Sequence, residues 1–306
     1  LTSNQTIPRC TAVGYQAYRG SDSLHSTSHG TTAIGYRAAA EGAGGGGFDY
    51  NVFVGSFAGE NATAPDYSVG VGAYALQNAG KNGNYTTTVG YEAARYATGS
   101  ANTFMGYQAG KGGTTSAPYS SGQNNVALGY QALTNFTTGG ANVALGHSAL
   151  KNIASGQSNI AIGYQALLDA DNNEEFNIAI GTNAMENINY NGSGNNIALG
   201  LNAMQGGSIT AQITDNIAIG QYALGSITTA DEQVAIGGYA LYRLTTGANN
   251  IAIGYTALQN HTTGGANIAI GRNAMFDTDA GSTSLGSQHN IFMGYYAGGG
   301  TWADAA

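Results

Sequence analysis

Charge is what this sequence has least of. Nine basic and 17 acidic residues make up 8 % of its 306 positions, where an ordinary soluble domain carries about 25 %. Solubility therefore rests on amides, hydroxyls and exposed backbone. The formal net charge is −8, and so few cations leave no basis for a phosphate-reading nucleic-acid site or a basic membrane-binding face. The single cysteine, Cys10, excludes an intrachain disulfide framework and any multi-cysteine metal centre. No apolar run approaches the roughly 18 residues of a membrane-spanning helix, so direct membrane insertion is not expected. The motifs GxSxG, HExxH, GxxxxGK[ST] and CxxC are missing, and with them the enzyme classes they mark. No catalytic residue or cofactor is expected. What the chain does have is small residues, 49 of them glycine, and their regular spacing argues against a disordered tract.

One phrase recurs from end to end: NVALGYQAL at 125–133, NVALGHSAL at 142–150, NIAIGYQAL at 159–167 and NIAIGYTAL at 250–258. Its marker is the glycine after the apolar triplet. Copies fall at Gly14, Gly35, Gly55, Gly72, Gly90, Gly106, Gly129, Gly146, Gly163, Gly181, Gly200, Gly220, Gly237, Gly254, Gly271 and Gly294. A fixed short period is the signature of a solenoid, and all length variation sits between the phrases. With the marker as position zero, −1 is always Val, Ile, Leu or Met, −3 is Val, Ile or Thr, −2 is usually Ala, and +3 is Ala in every copy. Alternation with β-branched residues predicts a short strand with −3 and −1 sharing one face. A second short strand is expected after the glycine, carrying the +3 Ala and apolar +4 residues such as Leu133, Leu150 and Met185.

One such unit cannot bury its own apolar pair, so stacking predicts an all-β, parallel β-roll or β-solenoid of about 16 short coils. It forms a single repeat domain over 1–306, with marker repeats over 11–297, either whole or a segment of a longer fibre. The inner face is assigned to −3 and −1. The marker glycines, among them Gly129, Gly146, Gly163 and Gly254, make the tight reversal. Asparagine at −4 recurs in 11 copies, including Asn125, Asn142, Asn159 and Asn250, and predicts an amide ladder or a turn cap. The −2 alanines, among them Ala127, Ala144, Ala161 and Ala252, are expected to point outward as a small apolar stripe through which copies of the chain pack.

The phrases NVALGYQAL and NIAIGYQAL resemble the head repeats of trimeric autotransporter adhesins, and still more the related tandem repeats of bacteriophage tail and receptor-binding fibres. The resemblance spans Thr11 to Ala297. It implies a left-handed β-roll, a homotrimer packed through small residues such as Ala127 and Ala144, and an extracellular place on a virion or a bacterial surface, where the module binds a host-surface glycan or protein. The chain departs from the adhesin pattern in its longer, unequal outer segments. It also shows neither a heptad stalk nor a barrel anchor, which favours a phage fibre over a bacterial surface adhesin. A structural filament subunit stacked end to end and a polysaccharide depolymerase are the alternative readings.

Candidate contacts lie in the outer segments, rich in Gly, Ser, Thr and Asn with interspersed aromatics. Tyr119, Phe136 and Tyr190 are singled out for ligand contact. Tyrosine at +1 in eight copies suits a packed coil edge or a carbohydrate-stacking track. His25 and His29 share one segment and suit a metal within their loop or at a trimer axis where three copies converge, but no third ligand type is evident and solvated loop histidines explain the pair. The run Asp169, Asp171, Glu174 and Glu175 offers hard oxygens for Ca²⁺, but the EF-hand order is absent and a solvated loop explains it equally well.

Overall fold

The computed structural model describes residues 9–19, 29–40, 48–63, 65–80, 83–114, 119–170, 173–207, 209–276 and 287–300. Each copy of the phrase contributes one three-residue strand. Residues 1–155 and 156–306 form two compact units. The first carries β1 (Thr11–Val13), β2 (Thr32–Ile34), β3 (Val52–Val54), β4 (Val69–Val71), β5 (Thr87–Val89), β6 (Thr103–Met105), β7 (Val126–Leu128) and β8 (Val143–Leu145). The second carries β9 (Ile160–Ile162), β10 (Ile178–Ile180), β11 (Ile197–Leu199), β12 (Ile217–Ile219), β13 (Val234–Ile236), β14 (Ile251–Ile253), β15 (Ile268–Ile270) and β16 (Ile291–Met293). Within each unit, strands adjacent in sequence pair in parallel and in phase, as in Val126↔Val143, Ala127↔Ala144 and Leu128↔Leu145. The fold is an all-β solenoid, and among the described residues there is no helix.

The alternation along each strand is as the sequence predicts, but its sense is reversed. Ala127, Ala144, Ala161 and Ala252 are fully buried within the roll, whereas the flanking Val, Ile and Leu at −3 and −1 are partly exposed on the outer sheet face. The −2 alanines therefore cannot be the stripe through which copies of the chain meet. The reason is the distance across the roll. At Gly70, which holds the −2 position in β4, an added Cβ would lie 3.4 Å from both the Ala75 carbonyl oxygen and the Leu76 Cβ of the opposite wall. Contact at that distance leaves room for one methyl and no more. A slip of one residue exchanges the two faces of a strand, so fitting Ala inside obliges the larger residues to face out.

The opposite wall is not a second strand. After the marker glycine the chain runs through turns, with positive φ at +2 and +4, as in Gln131 (52°) and Leu133 (52°) or Ser148 (56°) and Leu150 (50°). The same sign recurs at −5, as in Asn124 (59°) and Ala141 (57°). For an L-residue this conformation costs roughly 1–2 kcal/mol. The stack offsets it. The N–H of Gln131 donates back to the Tyr107 carbonyl (2.9 Å), and that of Leu133 donates forward to the Ala149 carbonyl (3.0 Å), each worth about 1 kcal/mol net. Burying the +4 side chain adds about 1.5–3 kcal/mol, so +4 gains clearly, while +2, whose side chain is polar in most coils, comes out near even. The invariant +3 alanine is buried between them, and its N–H closes the turn onto the marker carbonyl, 3.5 Å for Ala149 to Gly146 and 3.2 Å for Ala223 to Gly220.

Across this narrow interior, −2 and +4 share a fixed volume. Alanine at −2 meets Leu or Met at +4 throughout coils 7 to 15, from Ala127 and Leu133 to Ala269 and Met275. Where −2 is phenylalanine, +4 is glycine: Phe53 with Gly59, Phe104 with Gly110, Phe292 with Gly298. A Cβ on Gly59 would sit 2.6 Å from the Phe53 ring. The exchange generates a prediction. Phe104→Ala should cost about 3–5 kcal/mol by leaving a cavity, and Gly110→Leu should destabilise by forcing a side chain into the ring. The double variant Phe104→Ala/Gly110→Leu reproduces the pairing of coil 7 and should be destabilised by at least about 2 kcal/mol less than the sum of the singles in a double-mutant cycle of urea unfolding. Simple additivity would show that the two positions do not share one space.

Candidate functional site

The marker glycines hold the corner between strand and turn wall. Gly129, Gly146, Gly163 and Gly254 have φ of 138°, 132°, 136° and 135°, a region open essentially to glycine. A Cβ on Gly129 would lie 2.5 Å from the carbonyl oxygen of Gly146 in the next coil. Just before each strand, the −4 asparagines are buried and bonded from coil to coil. Asn142 N–H donates to Asn125 Oδ1 (3.0 Å), while Asn125 Nδ2 donates to the Gly139 carbonyl (3.0 Å). In the second unit Asn159 Nδ2 donates to the Glu174 carbonyl (2.7 Å) and Asn177 N–H to Asn159 Oδ1 (3.0 Å). Asn267 N–H and Nδ2 both reach Asn250 Oδ1 (3.0 Å). Gln233 keeps the column intact where asparagine is lacking, accepting from Asn250 N–H (3.2 Å) and donating to the Gly247 carbonyl (2.9 Å).

The sequence-predicted contact residues separate. Phe136 is fully buried, 5.7 Å from the Phe104 ring, so it is core and unavailable to a ligand. It holds the +7 phase, as do Ile153 in the same unit and Ile188, Ile227 and Leu244 in the second unit, all buried. Tyr119 is half-buried and stacks on Tyr96 at 5.9 Å. Tyr190 is exposed. In the first unit the +1 tyrosines stack face to face, Tyr91 on Tyr107 (5.4 Å), Tyr107 on Tyr130 (5.1 Å) and Tyr130 on His147 (4.8 Å). A second column at −5, not anticipated from the sequence, runs through Tyr50, Tyr67 and Tyr85 at 5.4 and 5.5 Å. Rings stacked on one another spend their faces internally and show edges outward. These columns pack coil edges and leave little face for a sugar to stack on.

Charged groups are few and mostly engaged. Glu174 is buried and Glu175 half-exposed, so adjacent carboxylates of the acidic run take different environments. Asp171 lies outside the described residues, as does His25. No group of three or more His, Cys, Asp or Glu side chains among the described residues is placed to hold a metal. His29 instead meets Asp49, Nδ1 to Oδ1 3.2 Å. In the first unit Arg37 pairs with Glu60 (2.9 Å), Gln77 Nε2 donates to Glu60 (2.7 Å), Arg95 Nε donates to Gln77 (2.8 Å), and Arg95 and Lys111 (2.9 Å) both pair with Glu92. Burial pushes the Glu92 carboxyl up, but hydrogen bonds from Lys111 and Gln108 and the charges of Lys111 and Arg95 outweigh it and hold it below the usual range.

One concave feature combines an exposed ring with polar groups. A groove of about 580 Å³ in the second unit is lined by Asn173, Glu175, Phe176, Asn191, Gly192, Gly194, Asn195, Gln212 and Thr214. These residues come from the outer corners of three successive coils, tied by parallel bridges Glu175↔Gly194 and Gly194↔Thr214. Comparison with protein-family models, with curated proteins and with solved structures finds no match. The site must be judged on its own geometry.

His261 occupies the buried +7 phase, where other coils carry apolar residues such as Ile227 and Leu244. Asn267 Nδ2 lies 3.2 Å from its Nε2. Burial lowers its pKa against an opposing backbone hydrogen bond with Gly264. The unfolded chain therefore takes up the proton first, and stability is full above about pH 6.5 and lost as pH falls, at up to about 1.4 kcal/mol per unit. Comparing melting at about pH 7.5 and about pH 5.5, His261→Leu should flatten that part of the acid destabilisation. An unchanged pH dependence would mean that His261 does not titrate with unfolding.

Proposed function

We propose that this chain is a non-catalytic fibre or adhesion module, a segment of a phage tail-type fibre in the first instance, that assembles from copies of itself and presents its outer loops to a host surface. The observation that carries the proposal is the outer sheet face. In each unit two columns of Val, Ile, Leu, Met and Thr run along eight coils at −3 and −1, partly or fully exposed, as at Ile34 (38 %) and Ile180 (38 %). At about 4.8 Å per coil and roughly 10 Å across, the face has a footprint of about 380 Å² per unit, in the range of the largest apolar patch on a monomer, which is often a functional one. Its repeat is identical in every copy of the chain, so copies fit in register. Three copies about one axis, as the fibre resemblance implies, would cover the −3 and −1 columns and leave the variable corner loops outside. An extracellular location follows from this reading, with no nucleic acid and no membrane insertion.

This reading moves the interface from the −2 alanines to the −1 and −3 residues, and the two can be told apart. Leu128→Lys/Leu145→Lys should dissociate the assembly to single chains, measured by light scattering, without changing the circular-dichroism spectrum. Ala127→Glu/Ala144→Glu should unfold the coils themselves, because each carboxylate would be driven into the roll. A wild-type chain at monomer mass at all concentrations would overturn the assembly.

A further inference from the structure

Phe176 differs from the other aromatic residues at the −5 corner. Tyr50, Tyr67 and Tyr85 cover one another's faces, but the −5 neighbours of Phe176 are Ser158 and Asn195. No aromatic ring packs against it among the described residues, and it is 57 % exposed. An uncovered phenyl ring leaves a flat apolar face open for another planar or C–H face to lie on. Its backbone is fixed: Phe176 has φ of 58°, and its N–H donates to the Gln157 carbonyl (3.1 Å).

Around the ring stand planar amides. Asn191, Asn195 and Gln212 are exposed side chains lining the groove. Their supports are short and bonded: Asn195 N–H donates to the Glu175 carbonyl (3.2 Å), Gly194 N–H to the Ile213 carbonyl (3.2 Å) and Ser193 N–H to the Tyr190 carbonyl (3.0 Å). Gln212 Nε2 is hydrogen-bonded to the Gly192 carbonyl, which leaves its Oε1 as an acceptor. Each amide offers a donor and an acceptor side by side, the complement of adjacent hydroxyls on a sugar ring. The electron-rich face of Phe176 complements the C–H face of the same ring. No Lys, Arg or His lines the groove and Glu175 supplies a carboxylate, so an anionic sugar is repelled.

We propose that this groove binds one neutral pyranose unit of a glycan, with the sugar stacked on Phe176 and its hydroxyls held by Asn191, Asn195 and Gln212. The proposal rests on the adhesive reading for its biological setting, but its chemistry stands on the groove alone.

The test uses the full chain and the methyl pyranosides of glucose, galactose, mannose and N-acetylglucosamine, with methyl glucuronoside as the anionic probe, followed by saturation-transfer NMR and titration. The expected result is saturable binding of at least one neutral pyranoside, with methyl glucuronoside at least about tenfold weaker. Phe176→Ala should weaken binding at least about tenfold and Phe176→Trp should retain it. Because Phe176 is exposed, both variants should melt with the wild type; Tyr119→Ala should bind unchanged. Failure of all four neutral probes to bind, stronger binding of the glucuronoside, or wild-type affinity in Phe176→Ala would overturn the groove. Cell-adhesion assays separate the two readings. Adhesion that persists in Phe176→Ala after pyranoside binding is lost supports the groove and takes it out of the adhesive function. Adhesion without pyranoside binding by the wild type overturns the groove and leaves the adhesive function standing.

Discussion

At the −2 position a side chain has room for about one carbon before it meets the opposite wall of the roll, and this narrowness governs the molecule. It selects Ala127, Ala144 and their equivalents for the inside, turns the larger aliphatic residues outward, and makes an aromatic ring at −2 conditional on glycine at +4, as in Phe53 with Gly59. A roll this thin buries too little per coil to hold itself. Its stability must come from neighbours, and the backbone amides at −3, 0, +2 and +4 are spent on the coil before or after, as at Val126, Gly129, Gln131 and Leu133.

Stacking in phase multiplies whatever one coil presents. A buried asparagine becomes an amide column, a corner tyrosine becomes a stack of rings, and two outward aliphatic residues become a continuous apolar face. The first two are self-satisfied within the chain. The third is not, and it is the feature that connects the fold to assembly. Departures from the repeat then acquire meaning against this background. His261 in a column of aliphatics is a buried titratable group, and Phe176 between Ser158 and Asn195 is a ring without a stacking partner.

The period, the strand positions, the parallel stack and the corner role of the glycines were legible from the phrase itself, because the spacing of Val, Ile and Gly carries them directly. The sense of the strand was not. Placing the larger apolar residues inside is sound when the core is wide, and only the pairing of Phe53, Phe104 and Phe292 with glycines six residues later signals how narrow this one is. The left-handed residues of the turn wall gave no warning, since Gln131, Leu133 and Met185 are not the Asn, Asp or Gly that normally mark positive φ. Phe136 looked like a loop aromatic because the outer segments vary in length. Aligning the copies on their glycines places it at +7 with Ile153 and Leu244, a core phase. The groove at Phe176 needs residues from three coils and could not be assembled from any one segment.

The sense of the strand is the central claim, and methyl NMR reads it directly. In a dilute, monomeric sample with alanine, isoleucine, leucine and valine methyls labelled, a soluble paramagnetic agent should leave the methyls of Ala127, Ala144, Ala161 and Ala252 sharp. It should broaden those of Val126, Leu128, Val143 and Leu145 on the outer face. Broadened −2 alanines beside protected −3 and −1 methyls would contradict the account and restore the opposite packing of the roll.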